Sequence, residues 1–308
     1  MSTEDSTKAV VMALAANLGI AVTKFVAYLL TASSAMLAES VHSVADSGNQ
    51  ILLLIGGRRS VRTATPEHPF GFGHERYVYA FLVAIVLFTL GGLFALYGAW
   101  EKIRDPHPIT SWQWVPIVVL LLAAVMEATA LRTALRQSRS ARARVGWFGF
   151  IRRTKSPELP VILLEDTGAL IGLAFALVGV GLTLITGNGV WDGLGSGAIG
   201  LLLVVFAVLL AVEVKSLLIG ESASEENIRL IRGAILDCAD IDAVIHMRTM
   251  HLGPEELLVA AKVAVDAEDD ARRVTRAIDE AERRIREAVP IAKIIYIEPD
   301  LLRPRSPG

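Results

Sequence analysis

The stretch LAESVHSVADSGNQILLLIGG, residues 37–57, combines ionisable side chains with a strongly apolar run. On a helix with about 3.6 residues per turn, residues four apart differ by about 40° and residues seven apart by about 20°. His42, Asp46 and Asn49 therefore share one face, with Glu39 at its edge. Ionisable residues within a bilayer are costly, so they face the protein interior and usually serve a pathway. This stretch predicts a membrane helix with a functional polar face.

The whole chain is too apolar for an ordinary water-soluble protein. Of its 308 residues 53% are hydrophobic, and its mean hydropathy is +0.50. Crossing the hydrocarbon layer takes about 20 apolar residues. Six segments approach that length, at 8–30, 35–58, 76–100, 112–135, 158–185 and 192–218. The sequence predicts a polytopic α-helical membrane protein with six transmembrane helices and a transport domain at 1–219.

Basic residues are concentrated in two of the connections between these segments. The second and fourth connections hold Arg58, Arg59, Arg62, Arg76, Arg136, Arg139, Arg142, Arg144, Arg152, Arg153 and Lys155. By the positive-inside rule both connections and both termini are cytoplasmic. We expect the chain to lie in a cell membrane, namely a bacterial inner or plasma membrane. The run RQSRSARAR lies between two spans, so it indicates orientation and lipid headgroup contact rather than nucleic-acid binding.

Residues 220–308 have the pattern of a small α/β domain. Helices are predicted near 224–237 and 268–288, and strands near 242–250, near 257–265 and at AKIIYIEP. The order α-β-β-α-β fits a cytoplasmic ferredoxin-like domain whose short first strand is not identifiable in the sequence.

Further carboxylates occur inside the predicted spans. Span five contains adjacent Glu165 and Asp166, and span four contains Glu127. Counted from the span ends, Asp46, Glu127 and Asp166 lie within about one helical turn of the same depth. His42 and Asp46 are spaced so that both can bind one cation, although hydrogen bonding between helices is the alternative. The combination favours a cation site.

Three other polar or small-residue features have structural interpretations. Gly168 and Gly172 form a GxxxG pattern that permits close helix packing. Asp192, where span six begins, is interpreted as the N-cap of that helix rather than a ligand. Lys24 is placed to extend toward the membrane surface.

Three segments resemble one known family. The stretch SSAMLAESVHSVADSGNQILLLIGGRRS resembles the second transmembrane helix of cation diffusion facilitators, HPFGFGHERYVYAF resembles the next loop with the start of helix three, and LLEDTGALIGL resembles helix five. Members of this family are dimeric divalent-metal/proton antiporters with six helices and a cytoplasmic ferredoxin-like domain. The most similar branch is related to the mitochondrial zinc transporter of the solute-carrier group, in which LLED also occurs.

The resemblance implies a set of metal ligands, one of which is missing from this chain. The family pattern pairs His/Asp-x-x-x-Asp on helix two with His-x-x-x-Asp on helix five. It assigns His42, Asp46 and Asp166 as ligands here, but the helix-five histidine position holds Ile162. We favour Glu165 as the replacement. Asn49 and Glu127 are the alternatives.

Other metal positions of the family are poorly matched. Its ligand positions in the C-terminal domain fall near Tyr296, Glu298 and Lys262, and the remaining His246 and His251 are too few for a site. Some relatives bind a second metal beside helix three, where this chain has His68 and His74. We interpret these two as part of a structured loop.

The resemblance implies a homodimeric secondary transporter that exports a divalent cation from the cytoplasm in exchange for protons. Imidazole and carboxylate ligands suit Zn²⁺, and also Mn²⁺, Fe²⁺ or Co²⁺. The expected partners are a second copy of the chain, the lipid bilayer, the metal and protons, without a resident cofactor. The alternatives are a membrane-bound metal sensor or a non-transporting partner subunit. An enzyme is disfavoured because no HExxH pattern or nucleophile–base pair occurs.

Overall fold

The computed structural model describes residues 3–137 and 158–302, with side chains described at 17–133, 135, 136 and 163–302. The basic segment at 138–157, which contributed to the predicted orientation, lies outside the described residues, and so does the side chain of Ile162. The chain forms two compact units. One comprises Met1–Arg58 and Val78–Lys215, and the other comprises Arg59–Tyr77 and Ser216–Gly308.

Each of the six predicted spans coincides with a helix. These are α1 (Thr3–Thr31), α2 (Ser34–Ser60), α3 (Glu75–Arg104), α4 (Trp114–Gln137), α5 (Glu158–Thr186) and α6 (Val190–Ile219). Four helical segments are long and apolar enough to cross a membrane: Glu75–Arg104, Trp114–Thr133, Leu163–Thr186 and Val190–Ile219. A shorter apolar stretch, Asn17–Thr31, belongs to α1. The chain is a helical membrane protein.

Helix α6 approaches two neighbouring helices at backbone distance. A Cβ atom built on Gly200 of α6 would lie 3.0 Å from the carbonyl oxygen of Gly92 in α3, within the π-helical segment Leu87–Leu93. On α5, a Cβ atom on Gly179 would lie 3.1 Å from the Cα atom of Gly195 in α6. Glycine is required at these positions because any side chain would separate the helices.

Asp192 connects the start of α6 to the start of α2. Its fully buried carboxylate accepts hydrogen bonds from Ser33 Oγ at 2.6 Å, Ser34 N at 2.7 Å and Ala35 N at 3.3 Å. The prediction that Asp192 caps its own helix is wrong. It lies inside the first turn of α6 and satisfies the free N–H groups that begin α2. This contact fixes the helix that carries His42 and Asp46.

The C-terminal residues form a three-stranded sheet with two helices. The elements are α7 (Glu225–Leu236), β1 (Ala243–Gly253), β2 (Glu256–Ala264), α8 (Ala271–Ala288) and β3 (Ala292–Asp300). The strand order is β1-β2-β3, with β1 and β2 antiparallel and β2 and β3 parallel. The predicted order α-β-β-α-β is confirmed. Within residues 158–302 this sheet has no further strand, so the structure does not establish the ferredoxin-like topology.

Arg59–Tyr77, which connects α2 to α3, belongs to the same compact unit as the sheet. Gly73 lies directly against the backbone of Leu252 at the end of β1, so that a Cβ atom would collide with its carbonyl group. The ring of His68 packs on Phe72 with centroids 4.7 Å apart. Burial lowers the pKa of His74. The loop is ordered by these contacts, an association with the sheet that the sequence did not predict.

Candidate functional site

A small polar cavity in the helical unit gathers the carboxylates that the sequence had assigned to separate spans. Its volume is about 30 Å³, enough for one water molecule or one ion. Asp46 of α2, Glu127 of α4, and Glu165 and Asp166 of α5 all line it. The remaining lining residues are Asn17, Ile20, Ser43, Gln50 and Ala169. The depth comparison made from the sequence therefore identified groups that surround one space.

Helix α2 carries buried polar atoms without hydrogen-bond partners at and beside the cavity. His42 is 1% exposed, and its Nδ1 lies 3.5 Å from Asp46 Oδ1, which is long for a hydrogen bond. Neither ring nitrogen of His42 nor Asp46 Oδ1 has a hydrogen-bond partner. Buried polar atoms in proteins are almost always hydrogen-bonded. The imidazole of His42 and the carboxylate of Asp46 are one helical turn apart and have atoms without hydrogen-bond partners. These atoms are of the kinds that bind transition-metal cations.

Asn49 holds Glu165 in place. Its amide Nδ2 donates a hydrogen bond of 2.6 Å to Glu165 Oε1. Asn49 is fully buried, and its own Oδ1 has no hydrogen-bond partner. This contact ties α2 to α5 beside the cavity. Asn49 thus orients a predicted ligand and also presents a free carbonyl oxygen.

Glu165 and Asp166 both reach the cavity although they are neighbours on one helix. Ideal helix geometry separates adjacent side chains by about 100°, yet both carboxylates line the cavity, and Asn49 donates its hydrogen bond to Glu165. Within the described side chains, no three His, Cys, Asp or Glu residues converge at metal-binding distances. Of the predicted ligands, Asp46, Glu165 and Asp166 line one cavity, His42 does not line it, and the four do not form a coordination sphere.

Sequence reasoning missed a buried ion pair beside this cavity. Lys24 Nζ lies 2.9 Å from Glu39 Oε2, and both side chains are fully buried. The prediction that Lys24 extends toward the membrane surface is wrong, because its ammonium is held inside the helix bundle. Opposite charges in adjacent spans were the only available signal, and they do not reveal which helix faces meet.

In the C-terminal unit, Lys262 forms ion pairs at the place where the family resemblance puts metal ligands. Lys262 Nζ lies 2.8 Å from Glu298 Oε1 and 3.2 Å from Asp300 Oδ2. Hydrogen bonds to Glu298, and secondarily to Asp300, raise the pKa of Lys262. In the strand register His246 faces Lys262, which faces Glu298. Both carboxylates here are already paired with one ammonium group.

Comparison with known proteins shows similarity over most of the chain. Residues 10–219 match the model of the cation efflux transmembrane domain. The chain is 32% identical over 255 residues to the human protein named "Proton-coupled zinc antiporter SLC30A9, mitochondrial", covering 82% of this chain and 44% of that protein. It is 27% identical over 262 residues to Metal tolerance protein C4 of Arabidopsis thaliana, covering 84% and 57%. The chain spans about half the length of these relatives.

A shorter similarity involves a bacterial protein. Magnetosome protein MamM of Paramagnetospirillum magneticum is 30% identical over 104 residues, covering 32% of this chain and 33% of that protein.

The predicted bacterial plasma membrane is contradicted by the similar proteins. Relatives from Homo sapiens, Pongo abelii, Mus musculus and Xenopus laevis all have "mitochondrial" in their names. The prediction failed because the positive-inside rule distinguishes the two sides of a membrane and contains no information about which membrane it is. The part of the prediction that stands is a multi-pass membrane protein.

Proposed function

We propose that this chain, which belongs to the cation efflux family, is a metal cation transporter rather than an enzyme. The proposed activity is the exchange of Zn²⁺ for protons. The observation that carries this proposal is the polar cavity lined by four carboxylates from three helices. The human relative is named a proton-coupled zinc antiporter, which supports both the cation and its coupling ion.

In this proposal four side chains bind the cation. His42 contributes a neutral imidazole nitrogen, Asp46 and Asp166 contribute carboxylate oxygens, and Glu165 replaces the histidine missing at Ile162. A third carboxylate makes the ligand set harder than one with two histidines, so Mn²⁺ and Fe²⁺ are also expected substrates. Asn49 orients Glu165.

Proton exchange follows from the chemistry of these ligands. A metal binds imidazole and carboxylate in their deprotonated forms, so protons and the cation compete for the same atoms. The transporter moves the metal from the side of the membrane that carries the C-terminal domain and returns protons across it.

We further propose that α1 to α6 all span the membrane. Apolar side chains of α1 and α2 support this proposal, because Phe25, Leu29, Val44 and Ile51 are all more than 40% exposed. In contrast, Glu39, His42 and Asn49 of α2 are buried. Such surfaces are stable against lipid. The proposed boundary between the transport and C-terminal domains is at 219/220. The proposed C-terminal fold is ferredoxin-like, and the proposed assembly is a homodimer.

Purified protein in liposomes tests this function directly. With a proton gradient imposed, Zn²⁺ is expected to move against its own gradient, and Mn²⁺, Fe²⁺ and Co²⁺ are to be compared under the same conditions. Collapse of the gradient with a protonophore should stop uphill movement. Cation binding without flux would contradict the proposal and favour a metal sensor or partner subunit.

The identity of the fourth ligand is tested by a matched pair of substitutions. Glu165→Gln is expected to weaken Zn²⁺ binding and to lower flux by about tenfold or more, because it removes a ligand charge inside the cavity. Glu127→Gln, which alters a carboxylate at the same cavity, is expected to have a smaller effect. Calorimetric titration and initial flux measure both. The assignment is wrong if Glu127→Gln abolishes binding while Glu165→Gln leaves it unchanged.

The C-terminal unit is expected to bind no Zn²⁺ tightly, because the Lys262 ammonium is already paired with Glu298 and Asp300. The full-length variant Asp46→Ala/Asp166→Ala removes the proposed transport ligands and should show no stoichiometric Zn²⁺ binding in calorimetry. Residual submicromolar binding that is lost on further change of Glu298 to Gln would contradict this expectation.

A further inference from the structure

Lys24 of α1 links a buried carboxylate to the wall of the polar cavity. Its Nζ lies 2.9 Å from Glu39 Oε2 and donates a second hydrogen bond of 2.9 Å to Ser43 Oγ. Lys24 and Glu39 are 0% exposed. Ser43 lines the cavity together with Asp46. The ammonium group is thus bonded both to Glu39 and to a residue of the cavity wall.

Glu39 has the position and the free oxygen of a further cation ligand. It precedes His42 by three residues on α2, a spacing at which helical side chains are neighbours. Its Oε1 is buried and has no hydrogen-bond partner. This oxygen points at α5, since a Cβ atom on Gly172 would lie 2.9 Å from it. A carboxylate oxygen without a partner therefore lies between the two helices that carry the proposed ligands.

We propose that the ion pair with Lys24 prevents Glu39 from binding the transported metal. The ion pair thereby sets the affinity of the cavity for the metal. This inference rests on the proposed function and extends it. The Lys24–Glu39 pair is neutral, so the divalent cation meets the charges of the cavity carboxylates alone. Affinity for divalent cations rises with the number of ligand charges. A transporter must also release its cation, which requires binding of limited strength.

Two single substitutions should change the affinity in opposite directions. Lys24→Met leaves Glu39 available to the metal and should tighten Zn²⁺ binding by about tenfold or more, with slower turnover. Glu39→Gln leaves the ammonium without its carboxylate beside the cavity and should weaken binding by about tenfold or more. The double variant Lys24→Met/Glu39→Gln removes both charges and should return the affinity to within about threefold of the unmodified protein.

The measurements are calorimetric Zn²⁺ titration of the purified full-length chain and initial flux in liposomes. Lys102→Met is the matched control, because Lys102 is also buried but its Nζ donates to the carbonyl oxygen of Ala32. It should leave the affinity unchanged. A purely structural role of the ion pair predicts that both single variants weaken binding and that the double variant does not restore it, and this result would overturn the inference.

The design separates this inference from the function on which it rests. If Lys24→Met does not fold, Glu39→Gln and the double variant decide, and unchanged affinity in Glu39→Gln overturns the inference. If the unmodified chain binds no divalent cation, the proposed function fails and the inference fails with it. If the unmodified chain transports Zn²⁺ and Asp46→Ala does not, but the ion-pair variants do not move in opposite directions, only the inference fails.

Discussion

Replacing Asp46 with alanine is expected to abolish proton-driven Zn²⁺ transport, with initial flux reduced by about 100-fold or more. Asp46 lines the cavity, and its Oδ1 has no hydrogen-bond partner. The substitution removes a ligand charge from a small cavity between the helices. Asp166→Ala removes a second carboxylate from the same cavity and is expected to have the same result. Radioactive Zn²⁺ uptake into liposomes with an imposed pH gradient measures the effect.

Asp105→Ala is the control for these variants, because Asp105 lies in the connection after α3 with its side chain 77% exposed. Its flux should equal that of the unmodified protein. All variants must elute as the same species in detergent, so that lost transport is not lost folding. Near-normal flux from purified Asp46→Ala or Asp166→Ala would remove that residue from the proposed site.

Replacing Asp192 with alanine is expected to destabilise the helical unit by about 3 kcal/mol or more. The substitution leaves Ser33 Oγ, Ser34 N and Ala35 N without their shared acceptor in a fully buried position. Each group then bears the cost of burial without a hydrogen bond. Thermal unfolding of the detergent-solubilised protein should show a clearly lowered midpoint.

Asp270→Ala provides the matched comparison, because Asp270 is also a capping carboxylate but is exposed. It accepts a hydrogen bond of 2.8 Å from Arg273 N at the start of α8. Loss of such a cap costs about 1 kcal/mol. The interpretation of Asp192 is contradicted if the two substitutions have equal effects on unfolding.

Local patterns in the sequence predicted the helices and the carboxylates of the cavity. Hydrophobic length located six helices, and counting residues along them placed Asp46, Glu127 and Asp166 at one depth. These inferences succeed because they depend on helix rise and periodicity, which each segment determines alone. The alternation of apolar residues located the three strands in the same way.

Contacts between distant helices could not be predicted in this manner. Asp192 caps α2 from a position 158 residues beyond Ser34, and Lys24 reaches Glu39 on a different helix. Each depends on how two helices rotate against one another, and the periodicity of one segment contains no information about that rotation. The association of Gly73 with Leu252 is of the same kind.

The glycine contacts of α6 indicate which helices must move together. Because its main chain meets α3 at Gly92 and α5 at Gly179, α6 cannot slide along either helix without a backbone collision. Glu165 and Asp166 lie on α5, one of the two helices held by these contacts. Any movement that exposes the cavity is therefore expected to keep the distance between α5 and α6 constant.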